Sequence, residues 1–185
     1  MKIGIDIDDT ITNTWEYLIP IYSQKFNIPI EKMKTLPPYY NGIKDLISLE
    51  EYFKFMSDLE DYMKQVPLKE NVKEILTKLK EEGNTIIFIT ARGKAYNNPY
   101  DMTKEYLDKF SIPYDKLIVN AWEKGKICKE EKIDLFIDDN IKNCKDASLN
   151  GIKVLMMEAI FNKNNQEFIH MKDWNQIYEY IKNRW

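Results

Sequence analysis

Histidine occurs once in this 185-residue chain, at His170, and cysteine twice, at Cys128 and Cys144. Both cysteines fall in stretches that read as helical, and neither has a partner at metal-ligand spacing. That argues against a zinc site and a disulfide framework, and for a reducing, cytoplasmic setting. With a lone histidine near the C-terminus, read as surface or structural, chemistry built on a histidine base is not expected. Basic charge is not in excess either: 27 Lys plus Arg stand against 30 Asp plus Glu, a net charge of −3. A polynucleotide binder depends on a basic surface, so a nucleic acid polymer is not the expected partner, while a single nucleotide stays open as a substrate. No apolar run approaches the length of a membrane span. The opening residues carry carboxylates where a signal peptide would be apolar. There is no internal repeat and no low-complexity tract.

What is present is an ordinary globular composition, 44% hydrophobic and 31% charged. At this length such a chain can bury roughly 70% of its unfolded surface without a covalent or metal staple. Short apolar runs at 2–7, 85–90, 116–120, 135–137 and 153–156 read as strands. Between them, apolar residues recur at helical spacing: Val72, Ile75, Leu76 and Leu79, stopped by Gly83; Tyr106, Leu107 and Phe110; Trp174, Ile177, Tyr178 and Ile181 behind a cap at Asp173. Strands separated by helices imply parallel pairing with right-handed crossovers. The expected fold class is α/β, a Rossmann-like open parallel sheet.

One stretch breaks the rhythm. Almost 80 residues separate the first two strands, far more than one crossover helix requires. Trp15, Leu18, Ile19, Tyr22 and Phe26 keep helical spacing, with Pro20 expected to kink that helix or start a new one. Leu49, Tyr52, Phe53, Met56 and Met63 do the same further on, and the Pro-containing stretch 36–42 between them reads as loop. A helical insertion over 13–65 follows, with the core domain made of 1–12 and 66–185.

The chemistry concentrates at two strand ends. Asp6, Asp8 and Asp9 stand at the end of the first strand, and Asp138 and Asp139 directly follow the fourth. Carboxylates crowded this way repel one another and are costly to desolvate without a counter-charge. In open α/β sheets ligands bind beyond the carboxyl ends of the strands, where both clusters would meet. Four or five aspartate oxygens with no His or Cys suit a hard cation, Mg²⁺ first, which in such sites shares its shell with substrate phosphate. Thr90 ends another strand with a hydroxyl able to bond a phosphate oxygen. Lys124 and Lys126 open the helix before Asp138, and either could neutralise developing charge.

In this order, Asp6-x-Asp8-x-Thr10, Thr90, a lysine and Asp138-Asp139 resemble the four-motif signature of the haloacid dehalogenase (HAD) superfamily. The resemblance implies strand order 3-2-1-4-5 and a small helical C1-type cap. It implies Asp6 as the nucleophile that forms an aspartyl-phosphate, Asp8 as acid and then base, Thr90 on the phosphoryl group and Lys126, preferred over Lys124 by its place in the helix start, as the stabilising cation. Mg²⁺ would be held by Asp6, the backbone carbonyl of Asp8 and Asp138, with Asp139 acting through a metal-bound water. At the finer level the chain is similar to bacterial members of the 5′(3′)-deoxyribonucleotidase family. It departs from them at Asp9, where Gly is common, and at Thr90-Ala91-Arg92, where well-known animal members have Thr-Ser-Pro.

The implied activity is hydrolysis of a small phosphomonoester, a nucleoside monophosphate first and a sugar phosphate second; a non-catalytic binding scaffold is the rival of another class. Residues 13–66 hold ten of the 24 aromatics. Of these Tyr39 and Tyr40, in the Pro-containing linker, are expected to be free to contact substrate, together with Arg92. Monomer and homodimer fit equally.

Overall fold

The computed structural model describes residues 1–184. Six parallel strands form one sheet in the order β3-β2-β1-β4-β5-β6. They are β1 (Lys2–Ile5), β2 (Thr85–Ile89), β3 (Lys116–Ile118), β4 (Leu135–Asp138), β5 (Lys153–Met157) and β6 (Ile169–Met171). The expected order stands, with β6 added at the edge, where Leu155, Met156 and Met157 pair with Ile169, His170 and Met171. That three-residue strand carries a histidine and has no apolar run to announce it. His170 lies half-buried in it.

Alternation within the strands sorts the core into two layers. Ile3, Ile5, Ile86, Phe88, Leu135 and Ile137 face one side, against α5 (Val72–Glu81), α6 (Pro99–Lys109) and α9 (Trp174–Arg184). Ile87, Ile89 and Phe136 face the other side, against Cys128 of α7 (Lys124–Glu130) and Ala147 of α8 (Ile141–Leu149). Period-2 patterning on two covered faces is what a buried parallel sheet requires. Helix ends follow the sequence cues: Asp173 accepts from the Gln176 amide at 2.9 Å, and Gly83 follows α5 with φ of 82°. Both cysteines are buried and unpaired. Among the described residues no helix is long and apolar enough to cross a membrane.

Between β1 and α5 the chain forms α1 (Thr14–Phe26), α2 (Ile30–Met33), α3 (Leu49–Asp58) and α4 (Glu60–Met63). The way in and the way out lie side by side. The Asn13 amide donates to the Pro67 carbonyl at 3.0 Å and the Lys69 amide to the Ile11 carbonyl at 2.9 Å, around an antiparallel bridge between Thr12 and Leu68. Two local expectations are refined. Pro20 starts no new helix but sits inside α1; it and Glu16, whose carbonyl its missing amide leaves unbonded, both lie on the exposed side, where water can replace the lost bond. The stretch read as loop contains a 3₁₀ turn at Tyr39–Gly42.

Candidate active site

The carboxyl ends of β1, β2 and β4 converge. Sheet hydrogen bonding continues past β1, with the Asp6 amide donating to the Ile137 carbonyl at 3.0 Å. This carries Asp6 beside Asp138, the last residue of β4. Asp6, Asp138 and Asp139 are all buried and offer carboxylate oxygens within 4.8 Å of one another. The Lys124 ammonium, itself 2% exposed, donates to Asp6 and, at 2.8 Å, to Asp138 Oδ2. Asn143, three residues into α8, donates to both oxygens of Asp138 at 3.2 and 3.1 Å, and Thr10 donates to Asp139 Oδ1 at 2.9 Å.

The lysine is a correction. Lys124 is the one drawn into the acidic cluster, and Lys126 is exposed. On α7 the inward face is marked by Cys128, and Lys124 lies four residues before it on that face, while Lys126 lies on the other side. The helix can come this close because of Gly125. A Cβ there would overlap the Asp146 carbonyl of α8, and the Gly125 amide donates to Asp146 Oδ2 at 2.7 Å.

Asp8 has a separate environment. Arg92 Nε donates to its Oδ2 at 2.9 Å and Nη2 to its Oδ1 at 2.7 Å, and the Thr14 hydroxyl adds a third bond at 2.9 Å. Arg92 is 4% exposed and lies over the Tyr106 ring, 5.3 Å from its centroid. Its Nη1 is buried with no hydrogen-bond partner. Arg92 thus meets Asp8 first rather than projecting freely toward a ligand, with one donor to spare.

Asp9 has a structural role of its own. Its φ of 61° lies in the left-handed region, which favours glycine but which aspartate tolerates. Its carboxylate then accepts from the Trp15 amide at 2.8 Å and from the Tyr39 hydroxyl. It therefore serves the first turn of α1, where Asn13 makes no side-chain cap. Tyr39 and Tyr40 are both half-buried and held by neighbours. The Tyr39 hydroxyl is held by Asp9 and its ring packs on Trp15 at 5.3 Å, and the Tyr40 ring packs on Tyr52 at 5.2 Å.

Burial sets the electrostatics. It pushes the Asp6 carboxyl up to about 7 against the opposing pull of Lys124, and it pushes Asp9 up to about 7 as well. Asp139 is driven well above the usual range by burial and then by the charges of Asp138, Asp9 and Asp6. Asp8 goes the other way: burial opposes its ionisation, but the charge and hydrogen bonds of Arg92 outweigh that and hold it below the ordinary value. Ionised together, the three buried carboxylates around one ammonium would carry two unbalanced negative charges, which is why burial raises Asp6 and Asp139 here. A divalent cation with oxygen ligands fits that donor set and that charge.

These groups open into a cleft of about 420 Å³, lined at its floor by Asp6, Asp8, Thr90 and Lys124. Tyr39, Tyr40, Tyr52 and Phe53 line it from the stretch between β1 and α5, and Trp122 from the loop before α7. An open parallel sheet carrying this acidic site beyond its strand ends is the architecture of HAD-type hydrolases. Solved structures share the fold. A structure described as a predicted phosphatase from Clostridium acetobutylicum superposes with a TM-score of 0.73 at 16% identity, over 98% of both chains. A HAD hydrolase of Bacillus subtilis bound to magnesium gives 0.66 at 13%, again over 98% of each.

The sequence narrows the class. Residues 1–184 match the family described as 5′ nucleotidase, deoxy (pyrimidine), cytosolic type C, and the chain belongs to that family. A nucleotidase of Clostridium acetobutylicum is 33% identical over 182 residues, 96% of this chain and 92% of the relative. The protein is a phosphatase of nucleotidase type.

Proposed function

We propose that the protein hydrolyses nucleoside monophosphates, deoxyribonucleotides foremost, through a phosphorylated Asp6, with residues 13–65 acting as the cap that selects substrate. The observation that carries the reading is the buried Asp6–Lys124–Asp138 cluster at the floor of an aromatic-walled cleft, with Asp8 beside it. Mg²⁺ would be held by Asp6, Asp138 and the Asp8 carbonyl, with Asp139 behind it, and when bound it would neutralise charge on the phosphoryl oxygens.

The steps by the chain's own groups are these. An Asp6 oxygen attacks phosphorus as the bond to the leaving oxygen breaks, and Asp8 gives that oxygen its proton. Asp8, now ionised, takes a proton from water as the water oxygen attacks the phosphorus of the acyl phosphate, releasing phosphate and restoring Asp6. Thr90 and Lys124 bond the phosphoryl oxygens, and Lys124 already lies against the nucleophile. The Arg92 grip favours the ionised Asp8 of the second step. A substrate oxygen drawing on Arg92, whose Nη1 has no partner, would release Asp8 to carry a proton in the first.

The test is phosphate release from ribo- and deoxyribonucleoside monophosphates, sugar phosphates and a chromogenic ester, with Mg²⁺ and with EDTA, for wild type and Asp6→Asn. Expected are Mg²⁺-dependent turnover favouring a deoxynucleotide and no turnover by the folded variant. Equal rates on sugar phosphates and nucleotides would sink the nucleotidase reading. Undiminished activity in Asp6→Asn would sink the mechanism.

A further inference from the structure

Trp15 and Trp174 are fully buried, as large aromatics usually are, but Trp122 is 56% exposed. A single exposed apolar residue needs no explanation by itself. Trp122 differs in its place, since it lines the catalytic cleft two residues before Lys124. It also differs in how it is held.

The indole Nε1 donates to Asn120 Oδ1 at 2.7 Å. Asn120 adopts a left-handed φ of 56°, and its amide donates to the Arg92 carbonyl at 2.7 Å. The next amide, that of Ala121, donates to the Thr90 carbonyl at 2.9 Å. Gly93 makes room for the bracket, because a Cβ there would overlap the Asn120 side-chain oxygen. The loop carrying Trp122 is therefore pinned to the loop carrying Thr90 and Arg92. Its ring is fixed relative to the phosphate end of the cleft, and it leaves much of its surface open.

We infer that Trp122 is a stacking platform for the substrate's aromatic base, supplied by the core domain rather than by the insertion. The inference rests on the nucleotidase reading. An aromatic base offers a π face whatever its identity, so such a platform favours nucleotides over aliphatic phosphate esters without choosing among bases. Choice of base then belongs to polar groups elsewhere in the cleft.

The test compares kcat/KM for deoxynucleoside monophosphates with that for glycerol phosphate in wild type, Trp122→Ala and Trp122→Phe. Trp122→Ala should lower the nucleotide-to-glycerol-phosphate ratio about tenfold, mainly through a higher nucleotide KM, and Trp122→Phe should restore most of it. Nucleotide binding should also quench tryptophan fluorescence in wild type and lose that quench in Trp122→Phe. A wild-type enzyme that prefers nucleotides, with a ratio unchanged in Trp122→Ala, would overturn this inference and leave the nucleotidase reading standing. A wild-type ratio near one would overturn both.

Discussion

Arg92 grips Asp8 through two parallel hydrogen bonds, at 2.9 and 2.7 Å, from a side chain that is itself buried. This fork geometry is specific to a guanidinium, so lysine is not a conservative replacement. Arg92→Lys should lower phosphatase activity by about tenfold to a hundredfold. Without the bidentate charge, burial dominates Asp8 and its carboxyl rises, so the high-pH limb of the rate profile, where Asp8 must still hold the proton it gives the leaving oxygen, should move to higher pH. Measuring kcat/KM against pH for both proteins checks this, and coincident profiles would show that Arg92 does not govern Asp8.

Lys124 and Lys126 separate cleanly. Lys124→Met leaves Asp6 and Asp138 buried without their cation, a loss worth about 3–5 kcal/mol in comparable pairs, and activity should fall a hundredfold or more. Lys126→Ala, on the exposed side of α7, should stay within about twofold of wild type, since surface changes of this kind are near neutral. Phosphate release and thermal melts of the two variants decide it. A larger effect at Lys126 would reverse the assignment.

The acidic cluster predicts how stability depends on pH. Asp6 and Asp9 rise from an ordinary value of 3.8 to about 7 in the folded protein. Between those values the folded state binds more protons than the unfolded one, so stability falls as pH rises through that window. Metal-free protein should therefore melt lower at pH 7.5 than at pH 5, and Mg²⁺ should raise the melting temperature more at pH 7.5. Scanning calorimetry with EDTA and with Mg²⁺ tests both signs, and a Mg²⁺ effect independent of pH would contradict the charge argument.

Gly125 should resist substitution. In Gly125→Ala the new methyl group overlaps the backbone of Asp146, so α7 and α8 must move apart, at about 1–3 kcal/mol. Because Lys124 is the neighbouring residue, kcat should fall with the melting temperature. A variant that melts lower but turns over normally would show that Lys124 tolerates the shift.

Tyr39→Phe removes the hydroxyl that bonds Asp9 and leaves a buried carboxylate with one donor fewer, at about 1–2 kcal/mol. Chemical denaturation should show that loss. Tyr39 also has a φ of 57°, uncommon for an aromatic residue, so the linker should become more open to proteolysis. Unchanged proteolysis and stability would mean that ring packing on Trp15 suffices.

Much of the fold was legible because its signals are local. Continuous apolar runs marked β1, β2 and β4, helical spacing marked α5 and α9, and Asp173 and Gly83 marked helix ends. Pro20 started no new helix because proline in a helix costs most where the unbonded carbonyl is buried, and here Glu16 lies on the exposed side. The strand β6 gave no signal, since three residues at a sheet edge need no apolar run of their own.

The sequence by itself determined the class of chemistry. Asp6, Asp8, Asp138 and Asp139 each sit at the end of an apolar strand, and in a parallel sheet all such ends meet on one edge. Side-chain direction and pairing were decided only by the tertiary structure. Lys124 differs from Lys126 by a rotation about α7 that matters only once Gly125 has let α7 pack against α8. Arg92 meets Asp8 across 84 residues, and Tyr39 meets Asp9 across 30. Such contacts form where burial removes water and leaves each charge or hydroxyl to find its partner within the protein.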